Sequence, residues 1–122
     1  MNSKTILVGI TDIFFYTKVR DALLPQGYKL EKARAQRDIL EKTALTNPAV
    51  VLLDMNDMTL DAFQALATLK TDPKLRAIPV LAYANHEEVD TWNKARALGV
   101  TKIVSRNEMS ARTKELVEEL CS

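Results

Sequence analysis

Short apolar runs and helically spaced apolar positions alternate along this chain five times. Thr5-Ile6-Leu7-Val8-Gly9-Ile10 reads as a first strand. Phe14 to Leu24 places Phe14, Phe15, Val19, Ala22 and Leu23 at helical spacing before Pro25-Gln26-Gly27 stops it. Tyr28 to Ala33 alternates Tyr28, Leu30 and Ala33 with charged residues, as a strand near a sheet edge does, and Asp38 to Leu45 returns to helical spacing until Asn47-Pro48. The run Ala49-Val50-Val51-Leu52-Leu53 is too short for a helix and reads as a fully buried strand that delivers Asp54 at its C-terminal tip. Leu60 to Leu69 predicts a third helix through Leu60, Phe63, Leu66 and Leu69. A linker over 71–77 then leads into a fourth strand, Ile78 to Ala84, where Pro79 sits at the start and its missing N–H is tolerable. Glu87 to Leu98 predicts a helix with two acids at its positive end and Gly99 as a left-handed cap. Val100 to Val104 is the fifth strand. Glu108 to Leu120 is the last helix, with Ser105 and Glu108 fitting a capping box and Asn107 a competing N-cap.

Five strands in strict alternation with five helices imply one α/β domain over residues 1–122, a doubly wound five-stranded parallel sheet of order 2-1-3-4-5, the flavodoxin-like (βα)5 arrangement. In that order the crevice lies at the C-terminal tips of the first and third strands. Ile10, Thr11, Asp12, Asp54 and Asn56 converge there, with Ala84 and Arg106 at the tips of the fourth and fifth strands.

Charge and composition narrow the chemistry. Seventeen basic against sixteen acidic side chains leave a net charge of +1, so no basic excess favours nucleic acid. No apolar run approaches a membrane span, and the only cysteine, Cys121, has no partner for a disulfide, which points to a soluble, cytoplasmic setting. The three glycines, Gly9, Gly27 and Gly99, form no phosphate-cradling loop, and the single histidine, His86, lies in the polar turn Asn85-His86-Glu87-Glu88, on a separate element from Cys121 and without a recognisable catalytic partner. An enzyme is not expected.

Asp54 and its surroundings resemble the receiver domain of bacterial response regulators. The resemblance rests on Pro48 to Asn56 followed by Asp61-Ala62-Phe63, on Ile78-Pro79-Val80-Leu81, and on Ala95-Arg96-Ala97-Leu98-Gly99-Val100, and covers essentially the whole chain. It implies that Asp54 stands at the phosphoacceptor position. It also implies a divalent cation held by the acceptor, by two acids ending the first strand and by a backbone carbonyl, here that of Asn56. The chain departs from the pattern at those acids, which are Ile10 and Thr11, with Asp12 one residue late. The switch hydroxyl falls on Ala84, the switch aromatic on Ile103, the phosphoryl-contacting lysine on Arg106 and the next proline on Asn107.

Those departures imply a degenerate receiver, a stand-alone signalling protein that binds another protein without obligatory phosphorylation and takes no cofactor, magnesium included. Arg106 is expected to hold Asp54 bidentately in place of the metal and phosphoryl group. The resemblance places partner recognition on the fourth helix, fifth strand and fifth helix, here at Trp92, Asn93, Arg96 and Ile103. Trp92, in a stripe with Val89 and Ala95, reads equally as internal packing. A histidine kinase or another signalling protein is the expected partner, and a homodimer is compatible with the pattern. Two alternatives stand beside this reading. One is a working phosphorelay receiver phosphorylated on Asp54, with Asp12 or Asp57 completing a metal site with Asp54 and Asn56. The other is a flavodoxin-like binder of a small ligand, marked by an apolar pocket at Ile10, Tyr83 and Ala84.

Overall fold

The computed structural model describes residues 4–121. Its elements run β1 (Thr5–Gly9), α1 (Ile13–Leu23), a 3-10 turn (Leu24–Gln26), β2 (Lys29–Lys32), α2 (Gln36–Thr46), β3 (Val50–Asp54), α3 (Ala62–Thr71), β4 (Val80–Ala84), α4 (Val89–Ala97), β5 (Lys102–Ser105) and α5 (Arg106–Cys121), with a break in helical geometry at Arg112. The strands form one sheet of order β2-β1-β3-β4-β5, parallel throughout. This is the doubly wound fold that the alternation of elements predicts.

β3 lies at the centre and all five of its residues are buried. Successive side chains on a strand point to opposite faces, so β3 feeds two separate cores. Val51 and Leu53 join Ile39, Leu66, Leu69 and Ala95 beneath α2, α3 and α4. Val50 and Leu52 join Phe15, Val19, Met109 and Leu116 beneath α1 and α5. Each such fully buried aliphatic side chain contributes about 1.5–3 kcal/mol relative to exposure. Gly9 leaves no room for a side chain against β3, since a Cβ there would lie 2.9 Å from Leu53 Cδ2 and 3.1 Å from the Leu52 carbonyl oxygen.

The element ends differ from expectation where backbone turns or a side-chain cap set them. α4 begins at Val89 because the Glu88 N–H is taken by the Asn85 carbonyl in a preceding turn, so Glu87 and Glu88 sit before the helix rather than in it. β5 begins at Lys102 because the N–H groups of Gly99 and Val100 bond back to Arg96 and Ala95, closing α4 first. Gly99, at φ 94°, supplies the left-handed residue of that closure. At α5 the cap is Ser105, whose hydroxyl oxygen accepts the Glu108 N–H at 3.0 Å, and Asn107 falls inside the helix.

Candidate functional site

Parallel strands end together, and the loops after β1, β3 and β5 enclose a cleft of about 360 Å3 lined by Thr11, Asp12, Asp54, Asn56, Asp57, Met58 and Arg106. At its floor Asp54 is only 3% exposed, and its Oδ1 accepts the Asn56 N–H at 2.9 Å. Burial raises the Asp54 pKa above the ordinary carboxylate range. The Asn56 N–H opposes that shift, the Asp57 charge adds to it and the Arg106 charge counters it.

Asp57 ties the β3–α3 loop to the tip of β1. Its Oδ2 accepts the Thr11 N–H at 2.7 Å and its Oδ1 the Thr11 hydroxyl at 2.7 Å. The N–H groups of Thr59 and Leu60 also donate to Oδ1, each at 2.9 Å. Burial would raise its pKa, but these bonds, led by the Thr11 N–H, outweigh burial and hold it below the usual range. Thr11, at the second acid position of the receiver pattern, therefore anchors a loop.

Asp12 caps α1. Its Oδ1 accepts the N–H groups of Phe14 at 3.0 Å and Phe15 at 3.2 Å, while its Oδ2 takes Arg106 Nη2 at 2.9 Å. The Arg106 bond is the main cause of a lowered Asp12 pKa. The expected Arg106–Asp54 pair is thus corrected: the guanidinium turns to the better-exposed Asp12 and reaches Asp54 only as a more distant charge. It is also steered by aromatic faces, lying 4.6 Å from the Phe15 ring centre and 5.9 Å from that of Tyr83. Phe15 and Tyr83 themselves stack at 4.5 Å, 22° from parallel.

Tyr83 pairs with Asp54 across the sheet, and its hydroxyl is buried without a hydrogen-bond partner. Burial first, and the Asp54 charge second, push its phenol well above the usual range. The two groups lie close enough to shift each other but short of hydrogen-bonding geometry.

Two residues expected at the crevice do not line it. Ile10 and Ala84 are fully buried, Ile10 in the α1–α5 core and Ala84 in the opposite one. Tyr83 is also buried, so Ile10, Tyr83 and Ala84 are packed inside the protein beneath a cleft lined by polar side chains and Met58. Among the described residues no group of three His, Cys, Asp or Glu side chains is arranged to hold a metal ion. Both oxygens of Asp12 and both of Asp57 already accept hydrogen bonds.

Asn56 links the cleft to α4. Its Oδ1 accepts the Asn85 N–H at 3.0 Å and its amide donates to Glu88. Trp92 is half-buried, donating Nε1–H to the Asn85 carbonyl at 3.1 Å and packing against the α2–α4 core, with Arg96 5.5 Å from its ring centre. Beside it Asn93, Arg96 and the apolar Val89 are exposed. Ile103, expected on this surface, is instead buried beneath α4, because β5 alternation turns it inward. Among the described residues no helix is long and apolar enough to cross a membrane.

No protein family profile matches the sequence, and no curated protein is significantly similar to it. Several solved structures share its fold. The signal receiver domain of a signal transduction histidine kinase from Syntrophus aciditrophicus is similar at 20% identity and a TM-score of 0.86, over 98% of this chain and 90% of that one. The receiver domain of a sensor histidine kinase from Pseudomonas aeruginosa, solved with magnesium coordinated in its active-site cleft, is similar at 13% identity and a TM-score of 0.85, over 98% of each chain. A phosphorylated cyanobacterial phytochrome response regulator is similar at 19% identity and a TM-score of 0.80, over 97% of this chain and 91% of that one. At these identities the likeness is one of fold, which this chain shares with these receiver domains and this response regulator.

Proposed function

We propose that this chain is a degenerate receiver that signals by binding a protein partner, without obligatory phosphorylation of Asp54. The observation that carries the proposal is the pair of internal ties flanking Asp54, Asp57 to Thr11 and Asp12 to Arg106. They occupy the carboxylates that a phosphorelay receiver would need for its cation, and Ile10 offers no oxygen in their place. Magnesium is usually held by one or two carboxylates with water completing its octahedron, and Asp54 is the one carboxylate of the cleft without a tie to another loop, which supports weak binding at most. Ala84, lacking a hydroxyl, supports the same reading.

The partner surface in this proposal is the α4 face, where Trp92 is anchored at one edge and Val89, Asn93 and Arg96 surround it. A half-buried tryptophan held by its own N–H provides a rigid apolar anchor of the kind that dominates interfaces. A histidine kinase or another two-component protein is the partner class, by likeness to receivers that are themselves parts of histidine kinases.

The test is incubation with a small phosphodonor and magnesium, followed by intact-mass measurement. The expected spectrum is unchanged. A phosphoryl adduct that vanishes in Asp54→Asn overturns the proposal in favour of a working phosphorelay receiver.

A further inference from the structure

We infer that Asn56 is a positioning residue for Trp92: its side chain fastens the β4–α4 turn in one arrangement, so that the α4 surface stands preformed and awaits no chemical change at Asp54. The inference rests on the proposed reading of that surface as a docking site, and names what holds it in shape. Asn56 lies in the β3–α3 loop, where Asp54 Oδ1 accepts its backbone N–H at 2.9 Å. Its side chain spends both of its functions on the neighbouring turn. Oδ1 accepts the Asn85 N–H at 3.0 Å, and the amide nitrogen donates to Glu88 Oε1.

Between those two points the turn closes on itself, because the Asn85 carbonyl accepts the Glu88 N–H at 3.1 Å. The same carbonyl accepts the Trp92 indole N–H, also at 3.1 Å, so both of its lone pairs are in use. Asn85 is thus held at its N–H by the cleft loop while it holds the indole at its carbonyl. Glu88 joins the same arrangement from the other end. It stands at the N-cap of α4 but its side chain makes no capping hydrogen bond; the carboxylate goes to Asn56, and the Glu88 carbonyl accepts the Trp92 backbone N–H at 3.2 Å. Asn85 and Glu88 are exposed, so without the Asn56 amide water would take its place and the turn would keep only its own closing bond. None of these bonds passes through Ala84 or Ile103, which are buried and have no side-chain donor or acceptor.

Trp92 is the only tryptophan of the chain, so its fluorescence and its indole N–H resonance report this surface directly. Both are measured on the full chain at neutral pH, with circular dichroism to verify that each variant is folded. In Asn56→Ala the indole resonance is expected to shift, its proton to exchange faster with water, and acrylamide to quench the fluorescence more strongly. Asn56→Asp keeps an acceptor for the Asn85 N–H but sets a carboxylate against Glu88, and is expected to release Trp92 as well. Adding Glu88→Gln to Asn56→Asp returns an amide donor from the opposite side and is expected to restore the wild-type indole signal, a rescue that general loosening of the loop would not show. Asp54→Asn, which keeps an acceptor for the Asn56 N–H, is expected to leave Trp92 as it is. The inference is overturned if Asn56→Ala leaves the Trp92 signals at their wild-type values, or if Glu88→Gln restores nothing to Asn56→Asp. It is equally overturned if Asp54→Asn moves Trp92 as far as Asn56→Ala does. None of these readouts involves a phosphodonor, so the inference and the proposed function fail on separate results.

Discussion

Asp54 and Asp57 stand three residues apart, line one cleft, and meet opposite electrostatic fates. Asp54 has one hydrogen bond from Asn56 and no ion pair, and burial raises its pKa. Asp57 is also partly buried, yet four donors converge on it and its pKa falls. Asp57 is held by N–H and O–H donors alone and Asp12 chiefly by the Arg106 cation, whereas Asp54 has a single N–H and burial prevails. Asp57 and Asp12 hold loops in place. Asp54 alone is left costly to ionise, the state in which a carboxylate responds to its surroundings.

The largest effect is expected at Asp57. Asp57→Ala leaves the N–H groups of Thr11, Thr59 and Leu60 and the Thr11 hydroxyl without their acceptor, a loss of roughly 2–4 kcal/mol given the strength of bonds to an ionised acceptor. Urea denaturation measures it. A loss indistinguishable from that of an ordinary surface substitution means that the loops do not need this tie, and the contrast between the two acids collapses.

Asp54→Asn is expected to move stability the other way. The amide keeps an acceptor for the Asn56 N–H but removes a buried charge, so at neutral pH the variant gains on the order of 1–2 kcal/mol. The sign in pH follows from the shifts. Folded Asp54 holds its proton to higher pH than the unfolded chain, so its contribution is fully favourable below the unfolded carboxylate value, about 4, and is lost as pH rises through the raised folded value. Asp12 and Asp57 have lowered folded values, so their stabilisation is present above about 4 and is lost as pH falls through those values. Stability measured against pH should therefore show Asp54→Asn gaining over the wild type as pH rises, and Asp57→Asn losing most of its deficit in acid. The same slope for both variants breaks the comparison.

The sequence carries most of this fold and less of its site. Strand order, the buried β3 and the position of Asp54 at its tip follow from apolar periods and turn residues, which are local signals. Arg106 was legible as a cation near the crevice, but not its choice of Asp12 over Asp54. That choice depends on two aromatic faces, Phe15 and Tyr83, brought together from α1 and β4. A signal for the role of Asp12 was present: an aspartate directly before a helical apolar pattern is an N-cap first and a metal ligand second. Asp57 carried one as well, two residues before Thr59 and three before Leu60, the spacing of an Asx turn. Its bond to Thr11 spans 46 residues and no local pattern announces it. Ile103 was placed on the partner surface by the resemblance and not by a pattern in this chain, and here it is buried beneath α4.

The smallest effect is expected at Arg106. The Arg106–Asp12 pair is about two-fifths exposed on both sides, so water and salt screen it, and such pairs contribute roughly 0.2–1 kcal/mol. The face-on contact with Phe15 adds about 0.5–1 kcal/mol, and little of that is charge-screened because the ring is buried. Arg106→Ala removes both terms, whereas Arg106→Lys restores a cation for Asp12 without the planar group that lies on Phe15. The alanine variant should thus lose about 1 kcal/mol at low salt and less at high salt, as the pair fades and the stacking remains. Lysine should recover only the salt-sensitive part. If Arg106 instead served Asp54, its removal would strand a buried anion and cost several kcal/mol at any salt concentration. Denaturation of the two variants at low and high ionic strength separates these outcomes, and a large, salt-independent loss in Arg106→Ala would return Asp54 to the role of a paired structural acid like Asp57.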